Sequence, residues 1–122
     1  MPQLSTSSPP PTAEEVDAVL RAPGTTLLLA RLDGVIVGTL TLVVFRVPTG
    51  VRAWIEDVVV DDAAGRRGIG RALTEAALDV ARAAGVRTVD LTSRPSREAA
   101  NRLYQSAGFE LRQTNVYRYN LR

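Results

Sequence analysis

The feature that most constrains this chain is a turn rich in glycine and arginine, Gly65-Arg66-Arg67-Gly68-Ile69-Gly70-Arg71. It follows an apolar, β-branched run and precedes an alanine-rich run with helical spacing. A strand that turns through glycines into a helix leaves the first N–H groups of that helix without internal partners. Those groups and the helix dipole bind anions, commonly phosphates. The segment therefore predicts a strand–turn–helix unit that binds a pyrophosphate, and the alternative is a glycine-rich turn without a ligand.

The order of the glycines separates this turn from two common phosphate-binding loops. A Walker loop requires a lysine after its last glycine, and all fifteen basic residues of the chain are arginine. A dinucleotide-binding fingerprint requires Gly-x-Gly-x-x-Gly, whereas the glycines here follow the order Gly-x-x-Gly-x-Gly. Neither loop class fits, so the pyrophosphate hypothesis needs support from elsewhere in the chain.

The absence of cysteine and histidine excludes several classes of chemistry. Without cysteine there is no disulfide, thiolate nucleophile or cysteine-based metal site. Without histidine there is no Ser-His-Asp triad, no histidine-ligated zinc and no general base of the usual kind near neutral pH. Acid–base chemistry is left to carboxylates, tyrosines or water, and no metal is expected.

The length and composition favour one globular domain. The chain has 122 residues, of which 45% are hydrophobic, and a formal net charge of +2. This is enough for one core and too little for two. The arginines are spread along the chain, so a nucleic-acid-binding stripe is not predicted. No apolar run reaches membrane-spanning length and no secretory signal is recognisable, so we expect a cytoplasmic protein.

Periodicity and turn signals predict an α+β domain over residues 13–122, preceded by an extended or disordered Pro/Ser-rich segment, residues 1–12. Thr12 and Glu15 form a capping box for the first helix, and Ser96 is expected to cap the last. The expected order is α-β-β-β-α-β-α-β-β on a mixed, mostly antiparallel sheet with helices on both faces. The predicted helices span 13–21, 67–84 and 96–107, and the predicted strands span 25–32, 35–47, 51–60, 86–92, 109–112 and 116–121.

Two motifs in this order resemble the Gcn5-related N-acetyltransferase (GNAT) superfamily. The first is the turn ending in Gly68-Ile69-Gly70, with Ala-Leu after it. The second is Ala100-x-x-Leu103-Tyr104-x-x-x-Gly108-Phe109, about thirty residues later. The resemblance covers roughly residues 13–121 and implies the family's αβα-layered fold, with the first strand and helix of the family missing.

The resemblance implies that acetyl-CoA is bound where the strand before the turn separates from the strand after the helix. The backbone of Val58, Val59 and Val60 would pair with the pantetheine amides. The N–H groups of the turn, from Gly65 and Arg66 through Arg67, Gly68, Ile69 and Gly70 to Arg71, would bind the pyrophosphate. An amine would attack the thioester directly, without an acetyl-enzyme, which is compatible with a chain that lacks cysteine and histidine.

The resemblance also implies roles for individual side chains. Tyr104 matches the family tyrosine that protonates the leaving thiolate, and the alternative is a packing role on the apolar face of its helix. Glu56 is the first candidate for the general base and Asp57 the second. Strand alternation places Glu56 on the same face as Val58. Asn101, one helical turn before Tyr104, is expected to hydrogen-bond the pantetheine or to lie exposed.

Residues after the fourth strand are further candidates for ligand contacts. Ser93 and Arg94 follow the strand end where ligands of parallel sheets bind. The second motif usually begins with asparagine, and Arg97 occupies that position with a side chain suited to the phosphates of CoA. The turn also departs from the family, which usually has Gln or Arg at Gly65 and Gly at Arg66.

The predicted function is transfer of an acetyl group from acetyl-CoA to a primary amine on a small molecule or peptide. The alternatives are an inactive CoA-binding or regulatory module, and a basic nucleic-acid-binding protein. A missing first strand exposes a sheet edge and apolar surface, which favours pairing with a second copy. We therefore expect a homodimer.

Overall fold

The computed structural model describes residues 12–61 and 68–122 of the chain. Three helices and four strands follow one another in the predicted order up to the last helix. The helices are α1 (Ala13–Arg21), α2 (Ile69–Ala83) and α3 (Glu98–Ser106), and the strands are β1 (Thr25–Leu32), β2 (Val35–Val47), β3 (Gly50–Val60) and β4 (Thr88–Asp90).

The four strands form one mixed sheet in the order β1-β2-β3-β4. The first three strands form an antiparallel meander, and β4 pairs with β3 in parallel after the crossover through α2. Alternate residues of β2 and β3 bury their side chains against one face of α2, because the sheet repeats every two residues and the helix every 3.6. The buried core consists of Leu40, Leu42, Ala53, Ile55, Ile69, Leu73, Ala77 and Ala81.

Helix α2 approaches strand β2 closely at Gly38. A Cβ atom on Gly38 would lie 2.9 Å from Cγ2 of Ile69 and 3.0 Å from Cδ1 of Leu73. The β1–β2 register shifts beside this glycine, because Ala30 pairs with Gly38 and Arg31 pairs with Ile36, which leaves Val37 as the extra residue of a β-bulge. The glycine is therefore required by packing rather than by a left-handed backbone.

Strand β3 contains a second bulge. Thr41 of β2 pairs with Glu56, whereas Thr39, two residues earlier, pairs with Val59. Three residue steps along β3 thus match two residue steps along β2, so β3 carries one extra residue, which defines a β-bulge. The extra residue breaks the alternation, so Glu56 shares a sheet face with Val59. The prediction that Glu56 and Val58 share a face is wrong.

The start of α1 agrees with the sequence prediction, and the start of α3 does not. The Thr12 N–H donates to Glu15 at 2.9 Å and the Glu15 N–H donates to the Thr12 hydroxyl at 3.2 Å, as a capping box requires. In α3 the N-cap is Arg97 and not Ser96, and no side chain in the described part of the chain caps the helix. The Arg97 N–H donates to the Arg94 carbonyl at 3.0 Å. This turn includes Ser96, so the helix starts after it.

Strand β4 is shorter than predicted. The expected strand covered residues 86–92, but only Thr88–Asp90 pairs with β3. The two strands share three residue pairs, from Arg52↔Thr88 to Trp54↔Asp90. Beyond these pairs the chains separate, so the second half of β3 has no strand of the described part beside it on this side.

The predicted C-terminal hairpin is wrong. Residues 109–122 form no regular secondary structure, and all but Phe109 are exposed. A two-stranded hairpin is marginal in water unless one of its faces is packed. No part of the described residues covers the apolar side chains of this segment. The local preference for strand is therefore not sufficient to form the hairpin.

Candidate active site

A pocket opens where β3 and β4 separate, with a volume of about 330 Å³. The end of β3 forms one wall, the segment after β4 forms the second, and α3 contributes a tyrosine. The lining residues are Ile55, Glu56, Asp57, Val58, Leu91, Thr92, Arg94, Arg97 and Tyr104. The site thus results from the short pairing between two parallel strands that belong to the same crossover unit.

Tyr104 is the buried titratable side chain of the pocket, with 8% of its surface exposed. Its ring packs edge-to-face against Phe109 at a centroid distance of 5.8 Å. Burial raises the pKa of the Tyr104 phenol, and the positive charge of Arg97 acts in the opposite direction to lower it. The net effect is a rise, so the phenol carries its proton at neutral pH and is a hydrogen-bond donor.

Two carboxylates line the pocket at the β3 bulge. Glu56 belongs to the ladder with β2, and Asp57 lies at the bulge with a φ of +48°. Non-glycine residues rarely adopt this left-handed conformation, and aspartate is among those that tolerate it best. Both side chains are exposed and contribute negative charge to one wall.

Two arginines contribute positive charge to the opposite wall. Arg94 and Arg97 follow β4 and lie on either side of the turn that precedes α3. The Arg94 carbonyl accepts hydrogen bonds from the Arg97 N–H and from Nδ2 of Asn101, both at 3.0 Å. Asn101 does not line the pocket itself. Its amide instead fixes the segment that carries the two arginines.

The N-terminus of α2 offers hydrogen-bond donors. Its N-cap, Gly68, is left-handed with a φ of +72°, no side chain of the described residues caps the helix, and its first turn contains no acidic residue. A Cβ atom on Gly68 would meet no atom of residues 12–61 and 68–122 within 4 Å. The first backbone hydrogen bond of the helix runs from the Ala72 N–H to the Gly68 carbonyl. The N–H groups of Ile69, Gly70 and Arg71 therefore have no acceptor within the helix. These donors suit an anion.

The side chain of Arg71 points away from this role. Its Nε pairs with Glu75 and its NH1 donates to the Ser106 hydroxyl of α3, both at 2.9 Å. Arg71 can therefore offer an anion its backbone N–H while its guanidinium links α2 to α3. The predicted ligand contacts of Gly65, Arg66 and Arg67 lie outside the described residues.

The remaining candidates lie beside the pocket. Val58 lines it, and Val59 and Val60 continue β3 along the side that β4 leaves unpaired. The Ser93 hydroxyl is buried and has no hydrogen-bond partner in the described part of the chain. A buried polar group without a partner is costly, so this hydroxyl is available to a ligand.

The pocket therefore brings together six of the sequence-based candidates and leaves Asn101 and the α2 N-terminus outside its lining; the six are Glu56, Asp57, Val58, Arg94, Arg97 and Tyr104. Sequence reasoning missed Ile55, Leu91 and Thr92. The signal for Leu91 and Thr92 was the rule that ligands bind beyond the carboxyl ends of parallel strands. It pointed to Ser93 and Arg94 because the strand was predicted to end two residues later than it does.

Two features are absent from the described residues, 12–61 and 68–122. No group of three or more carboxylates that could hold a metal ion occurs there. No helix in that part is long and apolar enough to cross a membrane.

Comparison with known proteins agrees with this architecture. An aminoglycoside acetyltransferase from an uncultured soil metagenomic sample, solved in complex with trehalose, is 25% identical, with a TM-score of 0.85 over 97% of this chain and 80% of that one. A putative acetyltransferase from Agrobacterium tumefaciens is 30% identical, with a TM-score of 0.83 over 97% of this chain and 87% of that one. The fold is thus that of an acetyltransferase.

The family assignment comes from the sequence comparison. The model of the acetyltransferase (GNAT) family matches residues 2–109, and the chain belongs to this family of acyl-CoA-dependent N-acetyltransferases. Mycothiol acetyltransferase of Beutenbergia cavernae is 40% identical over 77 residues, which make up 63% of this chain. The match covers 25% of that relative, so the chain spans about a quarter of its length. The resemblance stated from the two motifs is confirmed.

Proposed function

We propose that this protein transfers the acetyl group of acetyl-CoA to a primary amine. The observation that carries the proposal is the meeting of Tyr104 and Glu56 in one pocket at the β3–β4 separation. A protonated phenol and a carboxylate are the acid and the base that direct acetyl transfer needs. Family membership supports the reaction type, and the absence of cysteine and histidine favours direct attack over an acetyl-enzyme.

The described residues fit acetyl-CoA as a substrate. The N-terminus of α2, which no side chain of the described residues caps, offers the N–H groups of Ile69, Gly70 and Arg71 to the pyrophosphate. The unpaired side of β3 offers backbone groups of residues 58–60 to the pantetheine amides. Ser93 has a buried hydroxyl with no partner in the described part, which suits a polar group of the same ligand.

In the proposed reaction, Glu56 accepts a proton from the ammonium form of the acceptor, directly or through water. The free amine nitrogen then attacks the thioester carbonyl carbon, a C–N bond forms and the C–S bond breaks. Tyr104 donates its phenolic proton to the leaving sulfur, the new amide nitrogen loses its extra proton to solvent, and solvent restores the proton on Tyr104. Its buried position and raised pKa keep that proton in place until the thiolate forms. Asp57 is the second candidate for the base.

A cationic small molecule is the proposed acceptor class. Glu56 and Asp57 place two carboxylates on the β3 wall of the pocket, and they attract a positively charged amine. The names of two similar proteins, an aminoglycoside acetyltransferase and a mycothiol acetyltransferase, indicate small-molecule acceptors. We extend the proposal to a homodimer and to a cytoplasmic location.

Ligand binding and turnover together test the proposed function. Acetyl-CoA at about 100 times its Kd is expected to stabilise the fold by about 2.7 kcal/mol. Thiol release is expected with at least one member of a panel of polyamines, aminoglycosides, amino acids and peptides. Stabilisation without thiol release from any acceptor would instead indicate a CoA-binding module. Absence of stabilisation would refute acetyl-CoA as the substrate.

A further inference from the structure

The side chain of Arg71 joins helix α2 to helix α3 by a hydrogen bond. Its Nη1 donates to the Ser106 hydroxyl at 2.9 Å, and that hydroxyl donates in turn to the Leu103 carbonyl at 2.8 Å. The Nε of Arg71 pairs with Glu75, one turn further along α2, at 2.9 Å. A guanidinium is a planar group with donors in fixed directions. The bond to Glu75 therefore holds it in the orientation that reaches Ser106.

This hydrogen bond lies between two parts of the proposed active site. Arg71 belongs to the first turn of α2, whose backbone N–H groups are the proposed donors to the pyrophosphate. Leu103 and Ser106 lie on either side of Tyr104 in α3, the helix that carries the proposed acid. One residue of α2 thus offers its backbone to the substrate and its side chain to the helix of the phenol.

The two helices also pack against each other at this place. A Cβ atom on Gly70 would lie 3.3 Å from Cδ1 of Leu103, so the first turn of α2 is close to α3. Within residues 12–61 and 68–122, the bond from Arg71 to Ser106 is the one hydrogen bond between these helices. Apolar contact is non-directional, whereas a hydrogen bond depends on distance and angle. The hydrogen bond therefore fixes how far α3 slides or rotates against α2.

We propose that Arg71 is a positioning residue for acetyl transfer, and that through Ser106 it sets the distance between the bound pyrophosphate and the Tyr104 phenol. The inference rests on the proposed function, in which Tyr104 is the acid. Binding of the pyrophosphate to α2 fixes the position of the thioester sulfur relative to that helix. The phenol on α3 must then lie within hydrogen-bond distance of the sulfur, and a misplacement of about 1 Å can cost about 10²-fold in rate.

Steady-state kinetics of matched variants test the positioning role. Ser106→Ala is expected to lower kcat by about 10-fold, since the phenol is misplaced. KM for acetyl-CoA is expected to keep its wild-type value, because the N–H donors of α2 remain. Ser106→Thr retains a hydroxyl and is expected to restore kcat. Arg71→Ala is expected to give the same loss as Ser106→Ala, and the double variant no further loss, because both changes remove one bond.

Another exposed ion pair of α2 provides the matched control. Arg82 pairs with Asp79 at 2.9 Å, and in the described part of the chain neither residue bonds to α3. Arg82→Ala is therefore expected to keep the wild-type kcat, and thermal unfolding checks that every variant is folded. An unchanged kcat in Ser106→Ala overturns the proposal. An equal fall of kcat in Arg82→Ala overturns it as well, because a general weakening of α2 would then explain both losses.

Hydrogen exchange provides a readout that needs no turnover. CoA is the probe, since it contains the pyrophosphate. In the wild type, bound CoA is expected to slow the exchange of amides 102–107 in α3, and this slowing is expected to be lost in Arg71→Ala. Equal slowing of α3 in both proteins overturns the positioning role. A wild type that releases no thiol refutes the proposed function and this inference with it, whereas turnover that Ser106→Ala leaves unchanged overturns only the positioning role.

Discussion

Arg97, the residue that precedes helix α3, and Tyr104, two turns further along it, interact electrostatically at one pocket. Burial raises the pKa of the Tyr104 phenol and the guanidinium of Arg97 lowers it. The phenol is therefore kept protonated by its surroundings, while a neighbouring cation favours the loss of its proton. A general acid for a thiolate leaving group needs both properties, because it must hold a proton and then release it.

Removal of the Tyr104 hydroxyl tests the role of the proposed acid. Tyr104→Phe keeps the ring that packs on Phe109, so we expect acetyl-CoA to stabilise the variant as it does the wild type. The turnover number is expected to fall by about 10²-fold or more, the range of a lost general acid. Thermal shift and thiol release measure the two effects. Tyr119→Phe, on an exposed tyrosine, is the matched control, and equal rates for Tyr104→Phe and wild type would refute the role.

Removal of the Arg97 charge changes the pH dependence. Arg97 lowers the pKa of Tyr104, so Arg97→Gln is expected to raise that pKa further. The alkaline limb of kcat against pH then moves to higher pH. Profiles at saturating acetyl-CoA separate this effect from weaker binding. An alkaline limb that stays at the wild-type pH would show that Tyr104 does not control it.

The Tyr104 pKa also affects the stability of the fold at high pH. The folded pKa lies above the ordinary value of 10.0, because burial favours the neutral phenol. Its contribution to stability is fully present below pH 10 and is lost as the pH rises through the folded pKa. Denaturant unfolding between pH 8 and 11 is expected to show a smaller alkaline loss in Tyr104→Phe than in wild type. Equal losses in both proteins would contradict the linkage.

The two carboxylates at the β3 bulge are expected to differ in importance. Glu56→Gln removes the proposed base and is expected to lower the turnover number by about 10²-fold. Asp57→Asn removes the same charge one residue later, and asparagine tolerates the left-handed φ of +48°. Its effect is expected to fall mainly on KM for a cationic amine. If Asp57→Asn gives the larger fall in turnover, the base is Asp57.

The close approach of α2 to β2 predicts an asymmetry between two glycines. Gly38→Ala places a Cβ 2.9 Å from Ile69, and such overpacking is expected to cost about 1–3 kcal/mol of unfolding free energy. Gly70→Ala meets Cδ1 of Leu103 at 3.3 Å, where a side-chain end can shift, and it gains helix propensity. We expect its stability to stay within about 1 kcal/mol of wild type. Urea unfolding of both variants measures the difference.

Local signals determined most elements of this fold. The Thr12–Glu15 capping box, the Asp33-Gly34 turn between β1 and β2, where both residues have positive φ, and the alternation of the meander strands each act over a few residues. They are therefore readable from sequence. The apolar spacing of α2 predicted the face that packs on the sheet. The two family motifs then placed Tyr104 and the end of β3 at one site.

What tertiary structure alone decided is where these elements stop. The pairing of β4 with β3 ends after three residues, and the pocket forms where they separate. The β3 bulge reversed the predicted face of Glu56 because it depends on the register with β2, which no local pattern encodes. The C-terminal residues kept their strand-like pattern but formed no strand, since a strand exists only when another pairs with it. The turn from Gly65 to Arg71 thus identified the family through residues in sequence, whereas the geometry of the pocket came from contacts between residues far apart in the chain.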